Sequence, residues 1–179
     1  MERKFGYRQL LLGVTLALAV TGCAKAKTPD SAANGSGSGT GPGAQTEAPS
    51  VKQLKVKTYY ADDNLDKLIE REATVSIKDD ADKYAAALNA SKTPPEATLS
   101  SLSKGITYRT VKYDGGGVTL DISIADSGRL GAPGEDLLVQ SIRKSLFQFS
   151  EVQSIEVLVD GKKTESLMGH VSLPHPMKR

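Results

Sequence analysis

Two stretches in the middle of the chain alternate between apolar and polar residues, which is the period of a half-buried β-strand. The first is predicted over residues 51–60, where Leu54 and Val56 lie on one face and lysines lie on the other. The second is predicted over residues 68–78. The polar sequence at 62–64 is typical of a turn. The two strands are therefore expected to follow each other closely along the chain.

The same alternation predicts two β-hairpins further along the chain. The first joins strands over 106–113 and 118–125 through the glycine-rich turn at 114–117. The second joins a strand over 155–159 to a return segment over 163–168 through an Asp-Gly turn. Both hairpins are expected to be antiparallel, because a short turn can only connect neighbouring strands in that way.

Two other segments repeat apolar residues every three or four positions, as amphipathic helices do. A short helix is predicted from Asp79 to Asn89, and a helix of about fifteen residues is predicted after 131–136. The apolar faces consist of Ala81, Tyr84, Ala85 and Leu88 in the first helix and of Leu138, Ile142, Leu146 and Phe149 in the second. The order β-β-α-β-β-α-β, with a terminal extension, predicts an α+β domain whose two helices lie on one face of a mixed, mainly antiparallel sheet.

The N-terminus carries an export signal. Basic residues precede an apolar run over 10–20, which is typical of a secretory signal and short for a membrane span. Cys23 is the only cysteine of the chain and follows this run directly. The residues Val20, Thr21, Gly22 and Cys23 resemble the bacterial lipobox, in which the peptide is cut before a cysteine that is acylated, for example by palmitate. The sequence therefore predicts a signal peptide over 1–22 and a lipid on Cys23.

Two other interpretations of this N-terminus remain open. Cys23 could be an incidental thiol after an ordinary signal peptide, or the uncleaved signal could anchor the chain as a single helix. Lipidation is favoured, because a free thiol in an exported protein is exposed to oxidation and the apolar run is short for an anchor. All three interpretations place the rest of the chain outside the cytoplasm.

Residues 23–50 are predicted to form a flexible tether that joins the lipid to a folded region over 51–179. After Cys23 this segment contains no Leu, Ile, Val or aromatic residue and is rich in Gly and Ser. It therefore has no apolar surface to offset the entropy cost of ordering. A Gly/Ser linker of this length spans about 30 Å on average, so the folded region would stay in the layer just above the membrane.

The charge balance argues against a nucleic-acid partner. The whole chain has a formal net charge of +2, with 23 basic and 21 acidic residues. Removal of the predicted signal peptide takes away three basic residues and one acidic residue, which leaves the mature chain close to neutral. A nucleic-acid-binding domain would instead retain a basic surface.

Few residues outside the N-terminus suggest chemistry. The glycines at 115–117 lie between two predicted strands, whereas phosphate-binding loops precede a helix, so a turn is the preferred interpretation. His170 and His175 lack the third and fourth ligands that zinc requires. Asp121 and Asp126 are more typical of a solvated strand face than of a carboxylate pair. No nucleophile motif is present. We therefore expect no catalytic site, no metal and no cofactor.

The C-terminal segment resembles the closing signature of the GerMN domain family. Residues 158–176 contain a strand, an Asp-Gly-Lys turn and the sequence Glu-x-Leu-x-Gly-His, followed by Leu and Pro. The signature positions are Asp160, Gly161, Glu165, Leu167, Gly169, His170 and Pro176. Residues 56–60, 117–123 and 149–155 are similar to other parts of the family pattern. The resemblance covers nearly all of 51–179, although Leu102-Ser-Lys-Gly105 departs from the Leu-Pro-x-Gly turn of the family.

This resemblance implies a non-catalytic module of sporulation or spore germination, similar to the ring-building folds of secretion-type assemblies. It also implies the envelope of a Gram-positive bacterium, and with the lipobox this predicts a lipoprotein on the outer face of the cytoplasmic membrane. The expected partners are the membrane, through the lipid on Cys23, and envelope proteins or a second copy of the chain, with peptidoglycan as the alternative. Gly169 is expected to supply a backbone conformation or a close approach, and His170 is expected to fix the C-terminal tail.

Overall fold

The computed structural model describes residues 50–179. Strand β1 (Lys52–Asp62) pairs with β2 (Leu68–Ile77) in an antiparallel register that runs from Lys52 opposite Ile77 to Ala61 opposite Leu68. A two-residue strand, β3 (Leu99–Ser100), pairs with the end of β1, so this first sheet has the order β2-β1-β3. Both strands predicted at the start of the folded region are thus confirmed.

A second sheet has the order β4-β5-β6-β7. Strands β4 (Ile106–Asp114) and β5 (Gly117–Ile124) form the predicted antiparallel hairpin. Its turn residues Gly115 and Gly116 have φ values of +52° and +87°, and two consecutive positive φ angles are typical of the tight turns that connect twisted strands. Strand β6 (Ser154–Val159) is parallel to β5, and the short β7 (Met177–Lys178) is antiparallel to β6.

Two helices pack against the first sheet, and the first of them also contacts β4 of the second sheet. Helix α1 (Lys83–Ala90) follows a 3₁₀ turn (Asp80–Asp82) that Asp79 caps, because the Asp79 carboxylate accepts a hydrogen bond from the Ala81 N–H at 3.1 Å. The predicted helix thus begins as a 3₁₀ turn. Helix α2 (Ala132–Phe147) has the predicted length, although Phe149 lies beyond its end. Helix α2 packs on β1 and α1.

One apolar cluster joins helix α2 to the second sheet. Three of the four residues predicted to form the apolar face of α2 are almost completely buried in it, as are alternate residues of β5 and β6. These residues are Leu138, Ile142 and Leu146 from α2, Val118, Leu120 and Ile122 from β5, and Ile155 and Val157 from β6. The structure is therefore an α+β fold with mixed but mainly antiparallel strands, as predicted, although the strands are divided between two sheets.

The predicted hairpin between 155–159 and 163–168 is wrong. After β6 a single bridge joins Val159 to Lys162, and the chain then leaves the sheet. Strand β6 pairs with β5 along one edge, whereas on the other edge β7 pairs only with Ser154 and Ile155. The long connection through α2 explains the parallel pairing, because a crossover of this length can return the chain in the same direction. The return segment bonds to the C-terminal tail instead, since the carbonyl oxygen of Thr164 contacts His175 Nε2 and that of Glu165 accepts a hydrogen bond from the Leu173 N–H.

The predictions for the N-terminus lie outside the described residues. They are the signal peptide over 1–22, the lipobox residues Val20, Thr21 and Gly22, the lipidated Cys23 and the tether up to residue 49. They stay predictions from the sequence. Within residues 50–179, neither helix is long and apolar enough to cross a membrane.

Candidate functional site

A buried carboxylate holds the family-signature segment in place. We call residues 165–170 the signature loop. Glu135 lies in the first turn of α2 and is 0% exposed. Its Oε1 accepts hydrogen bonds from the backbone N–H groups of Leu167 at 3.0 Å and Met168 at 2.9 Å. Its Oε2 accepts a third from the N–H of His170 at 2.9 Å. Charge-assisted bonds of this kind are stronger than bonds between neutral groups, so α2 and the signature loop are joined through one side chain.

The position of Glu135 follows from the helix itself. Leu138 and Ile142 lie three and seven residues after it, so the glutamate occupies the buried stripe of α2. A carboxylate in the first helical turn is also favoured by the helix dipole. The sequence contained a signal for this contact, because an acid on an otherwise apolar face needs a partner when the helix is buried. Sequence reasoning missed it.

The other side of the signature loop is exposed. Leu167 is 7% exposed and anchors the loop in the core, whereas Glu165, Gly169 and His170 are exposed. Ser166 tightens the loop, since its Oγ accepts a hydrogen bond from the Gly169 N–H at 2.6 Å. The loop is thus fixed from the inside through its backbone and one apolar side chain, while the side chains of Glu165 and His170 face solvent.

Gly169 has a φ of +104°, and nothing lies within 4 Å of the position that a Cβ atom would occupy. Backbone conformation therefore favours glycine there, and close packing does not. We expect Gly169→Ala to lower the free energy of unfolding by about 1 kcal/mol and Gly169→Val to lower it further, because a β-branched residue adopts positive φ least readily. Urea unfolding of both variants checks this expectation. Unchanged stability in both would contradict the backbone role.

Both ring nitrogens of His175 form hydrogen bonds within the domain. Its Nδ1 lies in hydrogen-bond contact with Glu156 Oε1, and its Nε2 lies 2.7 Å from the carbonyl oxygen of Thr164. A carbonyl oxygen and a carboxylate both accept hydrogen bonds, so this arrangement favours the imidazolium form, in which both ring nitrogens donate. The Thr164 carbonyl and then the Glu156 carboxylate raise the pKa of His175 above its usual 6.5. Burial would raise the pKa of Glu156, but hydrogen bonds from Lys163 and His175 outweigh it and lower that pKa.

This arrangement makes stability depend on pH. Because the pKa of His175 is raised on folding from 6.5, its contribution is fully present below pH 6.5 and is lost as the pH rises through the folded-state pKa. We expect the stability difference between the wild type and His175→Gln to be largest at mildly acidic pH and to shrink in alkali. His170→Gln is the matched control, because that ring is exposed. A difference that stays constant with pH would refute the imidazolium.

The structure places the tail-fixing interaction differently from the sequence prediction. The ring of His170 is exposed, and this residue holds the loop through its backbone N–H instead. The prediction that the His170 side chain fixes the tail is therefore corrected: the His175 ring does so. The reason is geometric, because the Gly169 turn directs the backbone of His170 inward towards Glu135. Pro176 follows His175 in the tail through a cis peptide bond.

The Asp-Gly turn after β6 is held by two side chains of the second sheet. Asp160 and Gly161 have φ values of +50° and +77°. Arg109 donates a hydrogen bond from Nη1 to Asp160 Oδ1 at 2.9 Å, and the Gly161 N–H donates to Asp121 Oδ1 at 2.8 Å. Asp121 therefore supports the turn, while Asp126 lies 3.8 Å from Arg129 instead. The two aspartates are thus engaged by different groups.

Within residues 50–179, no three His, Asp or Glu side chains lie close enough together to hold a metal ion. A shallow hollow of about 400 Å³ lies beside the signature loop and is lined by Lys163, Thr164, Glu165, Ser172, Leu173 and His175. The candidate site therefore has three parts: the buried Glu135 carboxylate, the exposed signature loop and a polar hollow beside the loop.

Comparison with known families decides the assignment. The family model described as "Germane: Sporulation and spore germination" matches residues 57–165, more than half of the chain. The chain belongs to the Germane family. Together with the structural match to a solved GerMN domain given below, this match confirms the predicted family.

One solved GerMN domain has the same fold as this chain. The first GerMN domain of the sporulation protein GerM from Bacillus subtilis aligns with a TM-score of 0.54 and 16% identity, covering 70% of this chain and 98% of that one. The tandem GerMN domains of the same protein give a TM-score of 0.49 and 23% identity, covering 74% of this chain and 49% of that one. An inferred lipoprotein of Clostridium perfringens gives 0.49 and 16%, with coverages of 72% and 88%. A search of curated protein sequences found no match.

Proposed function

We propose that this protein is a lipid-anchored, non-catalytic interaction module of the bacterial envelope that acts in envelope remodelling, sporulation or germination. The observation that carries the proposal is the signature loop. Its backbone is fixed by the buried Glu135, while Glu165, Gly169 and His170 face solvent. An exposed loop held in one conformation loses little entropy when a partner binds to it. Membership of a family described by sporulation and spore germination supports the context.

The absence of an enzymatic role is part of this proposal. The buried carboxylate of Glu135 accepts hydrogen bonds from three backbone N–H groups, so it is not available as an acid or base. The held histidine, His175, has both ring nitrogens engaged by Glu156 and Thr164. Neither group has a free position with which it could transfer a proton to a substrate.

The proposal is tested by crosslinking in cells followed by purification of the full lipoprotein. The affinity tag belongs in the predicted tether at 35–43, because the Arg179 guanidinium donates hydrogen bonds to the carbonyl oxygens of Val152 and Phe149 at the C-terminus. Growing and sporulating cells are compared. Recovery of discrete envelope proteins or of a second copy of the chain is the expected result. Recovery of no protein above the level of an untagged strain would contradict the proposal.

Peptidoglycan is the second candidate partner. The observation that favours it is the polar hollow of about 400 Å³ beside the signature loop, which has room for a sugar residue or a short stem peptide. Sedimentation of the chain with purified cell walls tests this role, with Ser172→Trp as the variant that fills the exposed rim of the hollow. Enrichment in the pellet that Ser172→Trp abolishes would favour wall binding. An unenriched pellet would exclude it.

A further inference from the structure

A basic groove lies between helix α2 and strand β1, away from the signature loop. Two adjoining hollows of about 360 and 320 Å³ share Lys144 and Phe147 and together form this groove. The groove is also lined by Lys57, Tyr59, Arg143 and Gln148. Residues from a strand and a helix that are far apart in sequence are therefore brought together into one continuous surface feature.

Of the three cations that line the groove, only Lys57 has an ion-pair partner within residues 50–179, and the charge of Lys144 also contributes to lowering the pKa of that partner, Glu70. Lys57 pairs with Glu70 at 2.9 Å. The other ion pairs of Arg and Lys within residues 50–179 involve residues outside the groove. Arg143 and Lys144 are exposed and form no such pair in this part of the chain. The mature chain is close to neutral overall, so this positive charge is local.

Aromatic rings lie beneath the cations. The Lys144 Nζ lies 5.8 Å from the centre of the Tyr59 ring, and the Arg179 guanidinium lies 5.2 Å from the centre of the half-buried Phe147 ring. Cations above aromatic faces, with their apolar stems along the rings, are suited to a boundary between water and an apolar phase. A surface of this composition is complementary to anionic headgroups.

The groove is closed to an added β-strand at its centre. Gln148 Oε1 accepts a hydrogen bond from the Lys57 N–H at 2.8 Å, and Gln148 Nε2 donates to the Lys57 carbonyl oxygen at 3.1 Å. The main-chain groups that would pair with an extended peptide are thus already occupied. Recognition in the groove must therefore depend on side-chain charge and on the aromatic rings.

The number of residues between Cys23 and the described domain favours the membrane as the binding partner of the groove. Cys23 lies 27 residues before Ser50, and a Gly/Ser-rich segment of that length spans about 30 Å on average. Strand β1 then leads directly from the tether to Lys57 in the groove. A lipid on Cys23 would hold the groove within reach of the bilayer at a high effective concentration, which a soluble acidic protein would not share.

We propose that the basic groove docks the domain onto the anionic headgroups of the membrane to which Cys23 is anchored. Docking would fix the orientation of the domain on the membrane. This inference rests on the predicted lipid anchor and is independent of the assembly role of the signature loop.

Vesicle binding of the predicted mature chain, residues 23–179 with Cys23→Ser, tests the groove without the lipid. Vesicles of phosphatidylcholine with and without phosphatidylglycerol are compared by sedimentation. We expect binding only to the anionic vesicles and weaker binding at high salt. The double variant Arg143→Glu/Lys144→Glu should lower the partition coefficient by about tenfold or more.

The matched control is Lys104→Glu/Lys112→Glu, which changes the net charge equally at two exposed lysines outside the groove. It should change partitioning by less than about twofold. Equal losses in the two double variants, or no binding to anionic vesicles, would overturn the proposal. A glutamate-rich peptide that binds the groove when anionic vesicles do not would assign it to an acidic protein segment instead. Thermal unfolding confirms that each variant is folded.

Discussion

Glu135→Ala is expected to lower the free energy of unfolding by about 3–5 kcal/mol, because each hydrogen bond from a buried N–H to a charged carboxylate contributes about 1.5–3 kcal/mol. Three such bonds are lost together, and the N–H groups of Leu167, Met168 and His170 lose their acceptor. Part of the loop will be hydrated in the variant, which keeps the loss below the sum of the bonds. The melting temperature should fall by about 10 °C or more.

Glu135→Gln gives a sharper version of this test. The amide keeps one oxygen, which can still accept from Leu167 and Met168, but its NH₂ group would face the His170 N–H. Its stability should therefore lie between those of the wild type and Glu135→Ala. Asp136→Asn is the matched control, because Asp136 is the next residue of the same helical turn, is exposed and bonds only to Gln140. An equal loss of stability in Asp136→Asn and Glu135→Gln would show that the effect comes from removing a negative charge near the N-terminus of α2, and not from the hydrogen bonds to the signature loop.

Gly128→Ala is expected to be the second most destabilising change, with a cost of about 3 kcal/mol, because the clash is with backbone rather than with a movable side chain. A Cβ on Gly128 would lie 2.6 Å from the Cα of Gly105, and a Cβ on Gly105 would lie 2.2 Å from the Cα of Gly128. The two chain segments touch at this point, where the Ala125 N–H also donates to the Gly105 carbonyl oxygen at 3.0 Å.

Chemical denaturation of Gly128→Ala and Gly131→Ala measures this contact. Gly131 has open space around its Cβ position and precedes α2 as its N-cap, so alanine there should cost less than about 1 kcal/mol. The same cost for both variants would show that the crossing of the two glycines is loosely packed. Gly105→Ala should match Gly128→Ala, since either methyl group must separate the same two segments.

The local elements could be predicted from the sequence because their signals are local. The hairpin of β4 and β5 depends on alternation and on a glycine-rich turn, and α2 depends on the spacing of Leu138, Ile142 and Leu146. The pairing of β6 could not be predicted in the same way. The Asp-Gly sequence after it favours a hairpin locally, but the start of β6 pairs with β7 near the chain end, and the return segment bonds to the C-terminal tail instead.

In the candidate site, too, local features could be predicted from the sequence and long-range contacts could not. Glycine at position 169 could be linked to a backbone requirement from the sequence alone, and it has a φ of +104°. The partner of the signature loop, Glu135, lies 32 residues from Leu167, and no local pattern connects them. Likewise, the Gly105–Gly128 contact requires two loops to cross, which neither glycine indicates by itself.

The central claim is that Glu135 holds the signature loop in the conformation that a partner recognises. Site-specific photocrosslinking from position 170 in cells tests it most directly, with position 112 on β4 as the exposed control. We expect a discrete protein adduct from position 170 that is absent from position 112 and is lost in the Glu135→Gln background at equal protein abundance. The same adducts from both positions, or an adduct from position 170 that persists in Glu135→Gln, would contradict it.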